Sequence, residues 1–176
     1  FIGLGRTDLR NDEAIYSYAV DSILELGDWG GPRSSPNEEI YFFEKPPLKF
    51  WIVAAPIRAG LLPDNEFGLR FWDIVLSGIA FLYVFAIGQR VAGPICGTAA
   101  VLILFVHGPL LLQHGLRENN MEAPLLLAYC GGVYHYFRSV DGGTSRLGTR
   151  HRTVVGLYFV LGFLTKFVAA LFLPLI

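Results

Sequence analysis

The sequence predicts an all-α protein: a polytopic membrane helix bundle with amphipathic interfacial helices in its first extracytoplasmic loop. Two observations carry this. Of 176 residues, 53% are hydrophobic and only 16% are charged, whereas soluble domains run near a quarter charged. The charges are also uneven. Twelve of the fifteen acids fall within residues 1–73, and uncharged runs follow at 74–89, 91–116, 123–137 and 153–165. A charged N-terminal third therefore precedes an apolar remainder.

The elements follow in order. Residues 11–26, NDEAIYSYAVDSILEL, repeat apolar side chains at Ile15, Tyr18/Ala19, Ser22/Ile23 and Leu26, the spacing of one helix face. Asn11 or Asp12 caps its start and Gly27 ends it. It is too short and too polar to span a bilayer, and lies at the interface or packs on other helices. Residues 27–43 are rich in Gly and Pro and read as a loop. A second interfacial helix is expected over about 46–60, because proline suits a first helical position, where its missing N–H is not needed. Together these segments form the first extracytoplasmic loop, about 5–66. A span needs roughly 20 residues, so the apolar runs extend to spans at about 67–89, 95–114, 121–139 and 153–174. Lys166 interrupts the last, which is read either as one span or as two short helices. His107 and His114, two turns apart, read as helix-end or packing residues, and Cys96 and Cys130 as small hydrophobic side chains. The chain opens at Phe1 and stops within an apolar run. It is expected to be an N-terminal fragment lacking a first span and a C-terminal part.

The stretch RSVDGGTSRLGTRHR holds Arg138, Arg146, Arg150 and Arg152 against one acid. The positive-inside rule assigns it to the cytoplasm. Counting back through the spans puts GLRENNME and the acidic N-terminal third on the opposite, extracytoplasmic side. Three polar clusters then share that side: Asp12-Glu13, Glu44-Lys45 and Arg117/Glu118/Glu122. Arg70 and Asp73 stand near the outer end of the first span and join them.

Each cluster has a structural and a chemical reading. Asp12-Glu13 is a helix cap, or supplies a general base for an acceptor hydroxyl. Lys45 is an interfacial lysine with its stem along the membrane. Alternatively, standing just before Pro46-Pro47 at a helix N-terminus, it binds phosphate. Glu44 pairs with an arginine or contributes to a divalent cation site. Arg117 and Glu122 flank a short polar connection, or bind phosphate and orient substrate. Nucleotide-binding, serine-hydrolase and zinc-protease motifs are absent, and no basic patch suits a nucleic-acid partner.

In order and spacing, DEAIYSYAVDSILELGDW, YFFEKPPLKFW, NEFGLRFWD, HGLRENNMEAP and LGFLTKF resemble the membrane half of C-type glycosyltransferases. The closest pattern is that of aminoarabinose transferases and protein O-mannosyltransferases. The resemblance implies an inverting, integral-membrane glycosyltransferase. It would use a polyprenyl-phosphate-linked sugar as donor and an extracytoplasmic acceptor in the cell envelope, in the plasma (inner) membrane. It implies Asp12, with Glu13, as the catalytic carboxylate pair and Lys45 as a donor-phosphate ligand. Arg117 and Glu122 match the arginine and acid of the outer loop, as phosphate-binding and substrate-orienting groups. Arg70 is grouped with the phosphate ligands, and Glu44 with a divalent metal ion. Two departures stand out. The acid at Glu122 is often Asp in the family, and the arginine that aminoarabinose enzymes carry shortly after DE is missing from DEAIYSY. The alternatives are a membrane transporter or a non-catalytic membrane scaffold. The first expects polar groups at the bilayer midplane, and the second expects no convergence of Asp12, Lys45 and Arg117.

Overall fold

The computed structural model describes residues 3–33, 40–112 and 115–173. His114 and the last residue of the expected 153–174 span lie outside them. The described chain forms α1 (Asp12–Leu26), α2 (Leu48–Arg58), α3 (Glu66–Val106), α4 (Gly108–Leu112), α5 (Glu122–Gly142) and α6 (Arg146–Ala170). No strand forms among the described residues; the one β-bridge joins Arg33 and Tyr41.

The buried face of α1 is Tyr16, Ala19, Val20 and Ile23, packed with Phe50, Val53, Ala54 and Ile57 of α2. Phe42, Leu69 and Met121 close this core. The sequence pattern put Ile15, Tyr18/Ala19, Ser22/Ile23 and Leu26 inward; Ala19, Ser22 and Ile23 are buried, whereas Ile15, Tyr18 and Leu26 are exposed. The helix is rotated by about one residue because Glu13, buried and ion-paired to Arg70, turns its own side inward. Gly27 ends α1 in the left-handed region, at φ 71°, and its N–H bonds to Ile23 O. This is the conformation glycine adopts at no steric cost. The Asp21 carboxyl on this helix is pushed up to about 6, first by burial and then by the charges of Asp64 and Glu25. Its charged form is therefore disfavoured by folding. Stability is lost as pH rises from the unfolded value of 3.8 through 6, and stays lower above. We expect Asp21→Asn to raise the thermal midpoint at pH 8, with the gain vanishing near pH 4. A gain that is the same at both pH values would refute the assignment.

The two prolines stand ahead of α2, with Pro47 as its N-cap. This helix is shorter than the expected 46–60. Asn65 caps α3, its side chain accepting from Phe67 N and Gly68 N. α3 is broken at Ala92–Gly93, where Gly93 has φ 85°. The chain turns there and packs back on itself. A Cβ on Gly88 would lie 2.8 Å from the Gly97 Cα, so only glycines allow this approach. The expected 67–89 and 95–114 spans thus correspond to one interrupted element, whose second arm stops at Val106 before α4.

α5 packs against both α3 and α6. Small residues make the α5–α6 contact close: Gly162 sits against Ala128 and Ala170. A Cβ at Gly131 would overlap the Tyr158 ring, and Tyr158 is itself bonded to Tyr83 at 2.8 Å. Gly131→Ala should therefore cost about 1–3 kcal/mol, the usual penalty of overpacking. It should lower the thermal midpoint of the detergent-solubilised protein. An unchanged midpoint would show that the ring moves freely. α6 loses helical geometry at Lys166 and Phe167, so the region around Lys166 is two helical pieces set at a break. α3 and α6 are long and apolar enough to cross a membrane. At one end of the bundle, Arg90 and Asp141 form a two-bonded, exposed ion pair at 2.6 and 2.7 Å.

Candidate functional site

The polar residues of the N-terminal third gather where α1, the start of α2, the start of α3 and the 115–121 loop meet. Glu13 lies at their centre. Its Oε1 accepts from Arg70 Nε at 2.6 Å and from the Asn119 backbone N–H at 2.8 Å; Oε2 accepts from Arg70 Nη2 at 2.8 Å. Arg70 also donates to the carbonyls of Leu4, Thr7 and Asp8 and to the Thr7 hydroxyl. The sequence paired Glu13 with Asp12 as catalytic and grouped Arg70 with the phosphate ligands. Here both are buried and bound to each other. They hold the N-terminal segment against α3, a use that the local sequence does not advertise because the partners are far apart in the chain.

A second buried ion pair lies beside the first. Lys49 Nζ donates to Asp73 Oδ2 at 2.7 Å, with both side chains 0% exposed. It also donates to Asn119 Oδ1 at 2.9 Å. Asn119 Nδ2 donates to Ser17 Oγ at 3.2 Å, and Ser17 Oγ to Glu13 O at 2.8 Å. Lys49, Asn119 and Ser17 were not singled out from the sequence. One signal was available: Lys49 stands between the apolar neighbours Leu48 and Phe50, where an unpaired charge is not tolerated.

Asp12 opens α1 and is exposed, as is Glu44; Lys45 is half-buried just ahead of α2. Tyr16 connects the acids. Its phenol is pushed up to about 12, first by burial and then by the charges of Asp12, Glu122 and Glu44. Glu122, at the first turn of α5, accepts from Lys166 Nζ at 2.8 Å through Oε1. Its Oε2 is buried without a partner among the described residues. The break in α6 presents Lys166 to this carboxylate. The interruption noted in the sequence thus becomes part of the polar layer.

Arg117 borders two spaces. One is a cleft of 270 Å³ lined by polar groups including Thr7, Asp8, Arg10 and Glu118, with Glu13 and Arg70 at its floor. The other is an apolar groove of 350 Å³ formed by Ile74, Phe81, Phe105, Leu111 and Leu116. A guanidinium placed between a polar cleft and an apolar groove suits an anion carrying a hydrocarbon chain. Divalent metal binding is less well served. Among the described residues no three His, Cys, Asp or Glu side chains come together as a cation site, and Glu44 points outward into an exposed position.

Comparison with known proteins agrees with this architecture. The model of the family described as dolichyl-phosphate-mannose-protein mannosyltransferase matches residues 44–176. An undecaprenyl phosphate-α-4-amino-4-deoxy-L-arabinose arabinosyl transferase of Pseudomonas aeruginosa is 25% identical over 166 residues, covering 94% of this chain and 29% of that protein. A relative of the same name from Serratia proteamaculans is 24% identical over 172 residues, covering 98% of this chain and 30% of the relative. The fold is similar to that of ArnT from Cupriavidus metallidurans bound to undecaprenyl phosphate, with a TM-score of 0.82 at 17% identity over 99% of this chain and 31% of that one. The same protein in the apo state gives a TM-score of 0.77. The chain thus spans about 30% of the length of these relatives. Matched over most of its length, the chain belongs to the dolichyl-phosphate-mannose-protein mannosyltransferase family.

Proposed function

We propose that this chain is part of an integral-membrane, inverting glycosyltransferase. It moves a sugar from a polyprenyl-phosphate donor to an acceptor hydroxyl or phosphate oxygen in the cell envelope, on the extracytoplasmic face of the plasma membrane. The observation that carries this is the position of Arg117, shared by a polar cleft and an apolar groove. The names of the relatives, which specify transfer of a sugar carried on undecaprenyl phosphate, support the same reading. The transporter alternative draws no support from the site, whose charges gather at one end of the bundle.

The chemistry divides among few groups. The acceptor oxygen attacks the anomeric carbon on the face opposite the phosphate. The bond from that carbon to the phosphate oxygen breaks, and its electron pair leaves on the polyprenyl phosphate. Where the acceptor is a hydroxyl, Asp12 takes its proton as general base; an ionised phosphate oxygen attacks with no proton to lose. Lys45, at the N-terminus of α2, and Arg117 stabilise the departing phosphate, where helix N–H groups and the dipole add to the side-chain charge. Glu13 and Arg70, saturated by each other and by backbone carbonyls, keep the walls in place and leave these roles to Asp12, Lys45 and Arg117. Glu122, held through one oxygen by Lys166, has its second oxygen to accept a hydrogen bond from a sugar hydroxyl or amine.

The test is transfer by the full-length protein in proteoliposomes, using a panel of polyprenyl-phosphate sugars and envelope lipid or glycan acceptors. We expect label to move from at least one donor to an acceptor, with release of polyprenyl phosphate. Transport of the donor without cleavage of its glycosidic bond would overturn the reading.

A further inference from the structure

We propose that the buried Lys49–Asp73 pair, acting through Asn119, is a positioning device for the donor site, setting Arg117 and Glu122 against Lys45. The proposal rests on the donor-site reading above. Lys49 is the second residue of α2 and Lys45 stands four positions before it, ahead of the helix, so anchoring Lys49 fixes the start of α2 next to Lys45. Its ammonium also bonds to Asn119 Oδ1 at 2.9 Å. Asn119 stands two residues after Arg117 and three before Glu122. Its backbone N–H donates to Glu13 Oε1 at 2.8 Å and its side-chain amide to Ser17 Oγ at 3.2 Å. One loop residue is thereby bonded to α1 twice and to α2 once. It is the bridge between the two buried ion pairs.

Stability alone does not account for this arrangement. Desolvating a lysine and an aspartate is costly, and an apolar pair of similar volume often stabilises a fold as well or better. The Asn120 backbone N–H also faces the Asp73 carboxylate, which ties the pair to the same loop, although Oδ1 makes no hydrogen bond of normal geometry among the described residues. What a charged, directional pair supplies and an apolar one does not is a defined place for Asn119. A phosphate held between a lysine on one element and an arginine on another needs that definition. Misplacement of a ligand group by about 1 Å can cost on the order of 100-fold.

The experiment compares variants of the full-length protein in detergent micelles, titrated with undecaprenyl phosphate and followed by thermal melting. Lys49→Met/Asp73→Ala removes both charges and both hydrogen bonds. Lys49→Gln/Asp73→Asn removes the charges but keeps an amide donor for Asn119 and for residue 73. We expect the first variant to melt near wild type yet bind roughly 100-fold more weakly, and the second to recover most of that affinity. Wild-type affinity in the first variant overturns the proposal. So does a loss of affinity that tracks a lowered melting midpoint in both variants, which is the mark of a merely structural pair. Should the Met/Ala variant not fold, Asn119→Ala decides, because it leaves the ion pair intact. Weakened binding there supports the proposal and unchanged binding overturns it. Lys45→Ala and Arg117→Ala separate the two layers of the argument. Wild-type binding in both sinks the donor-site reading and the positioning proposal together. Loss in both, with the Met/Ala variant at wild type, sinks the positioning proposal alone.

Discussion

Asp12→Asn in the full-length protein should lower kcat for sugar transfer by on the order of 10² to 10⁴-fold, the usual contribution of a positioned general base. The substitution keeps shape and removes the capacity to take a proton, together with a charge whose helix-end contribution to stability is at most about 1 kcal/mol at an exposed position. Donor binding and the thermal midpoint should therefore stay near wild type. Asp12 is exposed at the first turn of α1, whereas the adjacent Glu13 is buried and bound by Arg70 and Asn119. The neighbouring acids thus make opposite predictions. Glu13→Gln should act mainly through folding, because it leaves the Arg70 guanidinium buried against a neutral partner. A kcat for Asp12→Asn equal to wild type, measured at saturating donor, would remove Asp12 from the mechanism.

The second large effect is expected at the phosphate. Lys45→Ala and Arg117→Ala should each reduce kcat/KM by on the order of 10² to 10³-fold, as loss of one pre-organised charge on a leaving group does. The double variant should fall by less than the product of the two, because groups acting on one phosphate are coupled. Fully multiplicative losses would mean that the two cations serve different parts of the substrate. Arg117→Lys should restore only part of the activity, since an ammonium is a point charge and does not offer the planar fork of a guanidinium. Equal activity of Arg117→Ala and wild type would break the link between the polar cleft and the apolar groove on which the proposed function rests.

The fold and the site were not equally legible in the sequence. The all-α membrane bundle follows from one-dimensional quantities: long uncharged runs, their length against a bilayer, and the crowding of acids in the first third. The polar candidates were also visible, because charged residues in a greasy chain are few. Arg117 borders a polar cleft, and Asp12 opens α1 at an exposed position. The rotation of α1 was not visible. Its apolar residues occur on more than one side, so hydrophobic period alone selected Ile15 and Tyr18, while burial of Glu13 selects Tyr16 and Val20.

Pairing was the other hidden layer. Lys49 with Asp73, Asn119 with Glu13, and Lys166 with Glu122 join residues 24, 106 and 44 positions apart. No local pattern specifies which distant acid a given base will meet. Composition and periodicity respond to the average preference of a side chain for water or hydrocarbon, and that average was enough for the class and a short list of polar residues. Assigning those residues to tasks depended on desolvation, which acts only once the chain is packed. Inside the bundle Glu13 met Arg70 and Lys49 met Asp73, pairs that are buried, while Asp12 stands exposed and Lys45 half-buried.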